Sequence, residues 1–270
     1  MTFPAIDPVF FTLGPLQFRW YGLMYVLGFI FSYFIIRGEA RRRQLSLDNE
    51  AIADLIFFLA LGVVLGGRLG YVLFYDLAAY LAQPLKIFFI WEGGMSFHGG
   101  MAGVGLAAVW YTRSRGVPFL QLADLAALAA PVGLGLGRIG NFINGELFGR
   151  PTSMPWGVIF PGGGDLPRHP SQLYEACLEG LVLFFLVRWC MRRIPVAGSA
   201  MAAFLAGYGL FRFVVELFRQ PDSQLGLFFN YFSMGQLLSL PLFVFGGLLL
   251  IWLYRKQGKA SPDESITRRK

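Results

Sequence analysis

An all-α, polytopic integral membrane protein with about seven transmembrane helices is the architecture implied by three features of this 270-residue chain. Hydrophobic residues make up 56% and charged residues 14%, where an ordinary soluble domain carries about 25% charge. Mean hydropathy is +0.56. Aromatic side chains reach 17%, with 28 Phe beside 34 Gly, a blend that suits membrane spans. Too few polar groups are present to cover a water-facing surface, which excludes a soluble globular enzyme. The same apolar content excludes a disordered chain. One span takes about 20 residues, so the length leaves room for roughly six to eight helices and short loops.

Uncharged runs mark these helices in order. Residues 20–36 lie between Arg19 and Arg37, and residues 51–75 are apolar around Asp54 and Arg68. Residues 93–112 hold no charge apart from His98. The run 119–137 holds only Asp124, although Pro131 and nearby glycines interrupt its end. Residues 172–189 contain Glu175, Glu179 and Arg188. Residues 194–211 are uncharged, with Arg212 and Glu216 continuing the pattern, and 223–254 suffice for an outer loop plus one span. Residues 1–254 therefore read as a single transmembrane domain and 255–270 as a polar tail. Glycines at small-xxx-small spacing (Gly62, Gly66 and Gly70; Gly99 and Gly103; Gly133 and Gly137) let helix backbones approach closely in lipid.

Seven spans put the termini on opposite sides, and the basic residues sort accordingly. Fifteen of the 23 Lys and Arg, including Arg37, Arg41, Arg42, Arg43, Arg113, Arg115, Arg192, Arg193 and the tail, fall on one side. The positive-inside rule makes that side cytoplasmic, with the C-terminus inside and the N-terminus outside. Net charge +7 and an isoelectric point near 9.6 thus serve orientation, and no nucleic-acid partner is expected. Cys177 and Cys190 would stand roughly 20 Å apart on one helix, beyond disulfide reach. No signal peptide is visible, because no basic segment precedes an apolar core at the N-terminus.

The remaining basic residues, on the outer side, are the anomaly. Arg138, Arg150, Arg168, Arg212 and Arg219 border the fourth to sixth spans, where an Arg at the bilayer centre costs at least about 2.5–3.5 kcal/mol. Two readings account for them. In one they pair internally: Arg212 with Glu216 at i,i+4, Arg219 on the same face, and Glu146 following Arg138. In the other they grip an anionic ligand, for which Arg suits phosphate, and the local anion is a phospholipid head group. The segment 138–150 is too polar for a span. Its Asn141, Asn144 and Glu146, among Gly140, Gly145 and Gly149, suit a re-entrant loop lining a polar cavity or, alternatively, a loop on the outer surface. His98 and His169, the two histidines, each qualify as a base near neutral pH or as a hydrogen-bonded helix-end residue. Without clustered Cys or carboxylates they make no metal site. Gly135, Gly137 and Gly140 match a dinucleotide fingerprint but lack its βαβ context.

Six stretches together resemble the bacterial prolipoprotein diacylglyceryl transferases over nearly the whole chain. They are WYGLMY at 20–25, GGRLGY at 66–71, GGMSFHGG at 93–100, GRIGNFINGELFG at 137–149, RHPSQLYE at 168–175, and YGLFR at 208–212 continuing through Glu216 to RQPD at 219–222. The resemblance implies a multi-pass enzyme of the bacterial inner membrane, with a periplasmic N-terminus and a site facing the outer leaflet. Such enzymes transfer the sn-1,2-diacylglyceryl group of phosphatidylglycerol to the lipobox cysteine thiol of a prolipoprotein signal peptide. A thioether forms and glycerol 1-phosphate leaves. Membrane lipids and the prolipoprotein are the implied partners, with no cofactor and no metal.

The chemistry suits these residues. Only a thiolate attacks well, and a free thiol has a pKa of about 8.5, so a nearby base helps. Charge then builds on the departing phosphate, which fixed guanidinium groups in a poorly hydrated cavity stabilise. Arg138 and Arg212 are assigned to the phosphate, and His98 is the leading base candidate with His169 in reserve. Asn141, Asn144 and Glu146 orient the head group or Arg138; Tyr21 and Tyr208 position lipid or thiol. Glu216 and Arg219 extend the Arg212 face, and Gly149 is carried over as a backbone position of the family motif. A transporter with an anion site in its bundle and a non-catalytic lipid-binding protein are the rival classes.

Overall fold

The computed structural model describes residues 1–4, 6–14, 16–90, 93–220 and 232–259. Trp91 and Glu92, Pro221 and Asp222 of the last motif, positions 223–231 of the final uncharged run, and the tail from 260 lie outside the described residues.

Helix dominates. The elements are α1 (Trp20–Arg42), α2 (Asn49–Phe74), α3 (Leu77–Ala82), a 3-10 turn (Pro84–Phe88), α4 (Phe97–Arg115) and α5 (Phe119–Ile143). Then α6 (Ser171–Glu175) runs through a π-helical segment (Ala176–Val182) into α7 (Leu183–Arg193), followed by α8 (Ser199–Val215) and α9 (Met234–Lys259). Among the described residues four helices are long and apolar enough to cross a membrane: α1, α2, α5, and α9 over Met234–Gln257. The other three uncharged runs fall on α4, on the continuous α6–α7 and on α8.

Three boundaries differ from the sequence reading. A hairpin of β1 (Val9–Leu13) and β2 (Leu16–Arg19), with Leu13 opposite Leu16, adds sheet to an otherwise helical chain. β1 (VFFTL) lacks apolar–polar alternation, the usual strand signal, and β2 (LQFR) alternates over only four residues. Helix α4 begins at Phe97 because Gly93 and Gly94 adopt left-handed φ of 88° and 76°, after which Ser96 caps the helix by accepting from the Gly99 N–H at 3.2 Å. Helix α5 runs through Pro131 to Ile143, so Arg138 and Asn141 are helical and the polar loop proper starts at Asn144.

By internal packing the chain divides into Met1–Ile35 with Ala123–Lys270, and Ile36–Leu122; the divisions fall within α1 and near the start of α5. In the second unit, α2 and α4 touch through the expected glycines. A methyl group at Gly70 would lie 2.7 Å from the Gly99 Cα, and one at Gly66 2.8 Å from the Gly103 Cα. Buried Arg68 fastens the following loop. Its Nε donates to the Ile87 carbonyl (2.9 Å), Nη1 to Gly93 and Gly94, and Nη2 to Lys86 and Phe89.

In the first unit, Leu128 of α5, Leu183, Val187 and Met191 of the α7 helix, and Ala203 of α8 form an apolar core. Beside it, fully buried Asp124 accepts from the backbone N–H groups of Gly198, Ala200 and Met201 at 3.0–3.1 Å. That carboxylate satisfies the orphan donors at the start of α8.

Candidate active site

Close helix crossing builds the site. A methyl at Gly180 would lie 2.8 Å from the Gly135 Cα, so α5 and the π-helical segment meet almost backbone to backbone. One turn beyond that crossing, Arg138 Nε reaches the Glu175 carboxylate at 2.6 Å. From α8, Arg212 Nη1 donates to the same carboxylate at 3.0 Å and lies 3.8 Å from Glu179, while its Nη2 meets Glu216. Arg219 Nη1 reaches Glu175 at 3.4 Å and its Nε lies 3.9 Å from Glu216. Three guanidinium groups therefore converge on one carboxylate that is fully buried. Gly235 lets α9 approach, since a methyl there would collide with the Glu216 carboxylate, and Ser233 Oγ donates to Glu216 at 2.8 Å.

Internal pairing is thus present, with partners that sequence reasoning only half identified. The Arg212–Glu216 pair is the expected one. Arg138 pairs with Glu175, whereas Glu146 accepts from the Asn141 and Asn144 side-chain amides at 2.9 and 3.1 Å. Glu175 and Glu179 escaped selection as site residues. Their signal was available: two carboxylates four apart, on one helix face, inside an apolar run. Both Glu179 oxygens are buried and accept no hydrogen bond among the described residues.

The loop after α5 is tied to α6. Gln172 Nε2 donates to the Glu146 carbonyl at 2.6 Å and Ser171 Oγ to the Leu147 carbonyl at 3.1 Å. Gly149 sits where no side chain fits, for a methyl would lie 2.5 Å from the Phe218 carbonyl oxygen and 2.8 Å from that of His169. Its N–H donates to the His169 carbonyl at 2.9 Å, and Arg150 closes the same crossing through its N–H to Phe218 and its Nε to the Arg219 carbonyl, both 2.9 Å. Arg168 is likewise engaged by carbonyls, with Nε donating to Gly163 at 2.8 Å.

His169 belongs to a hydrogen-bonded chain. Trp156 Nε1 donates to the Tyr174 hydroxyl at 2.7 Å, and that hydroxyl lies 3.1 Å from His169 Nδ1. A hydroxyl has one proton to give and two lone pairs, so after accepting from Trp156 the Tyr174 hydroxyl can either donate to Nδ1 or accept from it. Burial lowers the His169 pKa below its usual value. His169 Nδ1 thus takes part in the contacts that tie this loop to α6. Tyr21 packs on Gly140, where a methyl would meet its ring at 2.8 Å, and its hydroxyl lies 3.1 Å from that of Tyr25. Tyr208, one turn before Arg212, stacks on Phe204 at 5.7 Å. His98 belongs to the other unit, exposed in the first turn of α4. Among the described residues no group of three or more His, Cys, Asp and Glu could hold a metal ion.

A family model described as prolipoprotein diacylglyceryl transferase matches residues 8–252. The phosphatidylglycerol–prolipoprotein diacylglyceryl transferase of Geobacter sulfurreducens is 62% identical over 257 residues, covering 95% of this chain and 99% of the relative. Proteins of the same name from Vibrio vulnificus and Photobacterium profundum are 53% and 52% identical, covering 95% and 97% of this chain and 94% and 98% of their own. The chain carrying this arginine–glutamate cluster belongs to the prolipoprotein diacylglyceryl transferase family.

Proposed function

We propose that this chain transfers the sn-1,2-diacylglyceryl group of phosphatidylglycerol to the lipobox cysteine of a prolipoprotein signal peptide, releasing glycerol 1-phosphate. The observation that carries the reading is the meeting of Arg138, Arg212 and Arg219 at Glu175. In the transfer, the thiol sulfur forms a bond to the terminal glycerol carbon as that carbon's bond to the phosphate oxygen breaks. The electron pair goes to the phosphate. Arg138 and Arg212 take that charge, exchanging carboxylate oxygens for phosphate oxygens in the planar geometry a guanidinium prefers. Asn141, Asn144 and Glu146 fix the head group, and Tyr21 and Tyr208 shape the approach of lipid or thiol.

His98 is the base in this reading, supported by its exposed place in the first turn of α4. His98→Gln then depresses transfer most near neutral pH, and raising the pH toward about 8.5 restores much of the rate because the thiol ionises unaided. A profile parallel to wild type but scaled down removes His98 from that role.

The seven-span count rests on α1, α2, α4, α5, α6–α7, α8 and α9, acting as one catalytic domain in the inner membrane. The tail is cytoplasmic, and the N-terminus, the polar loop and the site face the periplasm. Cysteines introduced beside Arg43 and Arg193 are expected to label from the cytoplasm and one beside Asp165 from outside; the reverse overturns the orientation. For the activity itself, purified protein, phosphatidylglycerol and a lipobox peptide suffice. Lipidated peptide supports the enzyme, whereas lipid binding or transport without it supports one of the rival classes.

A further inference from the structure

Gln172 is fully buried, and one half of its amide is satisfied while the other is not. Nε2 donates to the Glu146 carbonyl at 2.6 Å, which fixes the orientation of the amide, because the reversed group would set oxygen against oxygen. Its Oε1 is then a buried acceptor that meets no donor among the described residues. Asn144 repeats the pattern. Its Nδ2 donates to the Glu146 carboxylate at 3.1 Å, and its buried Oδ1 meets no donor. Both orphaned oxygens thus belong to side chains anchored on one residue, Glu146.

Such an oxygen is costly to bury unless something donates to it. Gln172 precedes Glu175 by three residues, so the two side chains share a helix face about 5–6 Å apart. Glu175 is where the three guanidinium groups meet. A group bonded directly to a phosphate held by Arg138 and Arg212 therefore falls within reach of Gln172 Oε1. It must offer hydrogen-bond donors, because Oε1 can only accept. A hydroxylated head group has that chemistry.

We propose that Gln172, with Asn144, selects the donor lipid by accepting hydrogen bonds from the hydroxyl groups of the glycerol that leaves with the phosphate. The proposal rests on the reading of the arginine cluster as the phosphate site. Gln172 does no chemistry in it; it sets which phosphodiester is used.

The test compares phosphatidylglycerol with phosphatidylpropanol of the same acyl chains, which keeps the phosphodiester and lacks the hydroxyls. Transfer to a lipobox peptide is measured as kcat/KM for each lipid with the full chain in detergent. Wild-type protein is expected to favour phosphatidylglycerol by about tenfold or more, because a site built to bond a hydroxyl is left unpaired by the analogue. Gln172→Met, which keeps length and removes the acceptor, is expected to lower that ratio several-fold; Gln172→Asn replaces it if the Met variant does not fold. Equal use of both lipids by wild type overturns the proposal while leaving the phosphate site standing. An equal loss with both lipids in the variant makes Gln172 a scaffold residue and also overturns it. Failure of the phosphate-site reading has a separate signature, wild-type transfer by Arg138→Gln.

Discussion

Buried Arg68 and the partly buried Arg138–Arg212–Arg219 cluster both place arginine inside an apolar chain, and they are held in opposite ways. Arg68 is 3% exposed, and its five N–H groups meet five backbone carbonyls of the loop that follows α2. Every donor is used, by acceptors that cannot leave without unfolding the loop. The cluster instead binds side-chain carboxylates, with one Glu175 serving three guanidinium groups. Arg pairs bidentately with phosphate as it does with carboxylate, so on the proposed reading these partners are exchangeable. Burial alone does not mark an anion site; the kind of acceptor does.

That contrast breaks most sharply at Arg138. Arg138→Gln is expected to lower transfer roughly a hundredfold or more, about 3–4 kcal/mol of transition-state stabilisation. Arg138→Lys is expected to fall between, because a point charge replaces a planar fork. Turnover with phosphatidylglycerol and a lipobox peptide, on protein shown to be folded, reads the effect. Near wild-type transfer by the Gln variant would put the cluster in the same structural class as Arg68.

At Arg68 the expected loss lies in stability. Arg68→Met removes the donors and leaves the carbonyls of Lys86, Ile87, Phe89, Gly93 and Gly94 unsatisfied, at a cost of about 3 kcal/mol. Thermal unfolding in detergent should show it, while turnover per folded molecule changes little. A variant as stable as wild type but inactive would reverse the comparison.

The sequence made much of this legible. Spacing alone placed Gly62, Gly66 and Gly70 as a contact strip, and the strip meets Gly99 and Gly103. The arginines assigned to the outer side stood out because charge in a span requires a partner. What spacing did not reveal was the partner across helices. Arg212–Glu216 is an i,i+4 pair and was visible along the chain, whereas Arg138–Glu175 depends on the Gly135–Gly180 crossing, which no local pattern encodes. For the same reason Arg138 and Asn141 read as loop: their polarity outweighed the helical frame that continues to Ile143. Gln172 drew no notice because an amide is unremarkable until its burial and its single satisfied half are known.

Gly149 tests whether the loop beside the cluster is positioned by backbone fit. A methyl there would lie 2.5 Å from the Phe218 carbonyl oxygen and 2.8 Å from both the oxygen and the Cβ of His169. Backbone on both sides leaves little room to yield, so Gly149→Ala is expected to destabilise by about 1–3 kcal/mol and to weaken transfer by displacing residues 144–150. Unchanged stability and turnover would show that the crossing of 149, 169 and 218 opens freely.

The smallest effect separates His169 from a catalytic role. Burial lowers its pKa, so the folded protein favours the neutral ring. The sign follows directly. Above the ordinary value near 6.5 the ring is neutral whether folded or unfolded, and its contribution to stability is complete. As pH falls below 6.5 the unfolded chain binds the proton first, and the contribution is lost down through the lowered folded value. Midpoints of thermal unfolding for wild type and His169→Phe, taken at pH 7.5 and 5.5, isolate this because other groups cancel in the difference. The wild-type advantage is expected to shrink by about one or two degrees at the lower pH. An advantage that grows on acidification would mean His169 is held protonated, its Nδ1–H donating to the Tyr174 hydroxyl, and would leave it a group able to exchange a proton with the site.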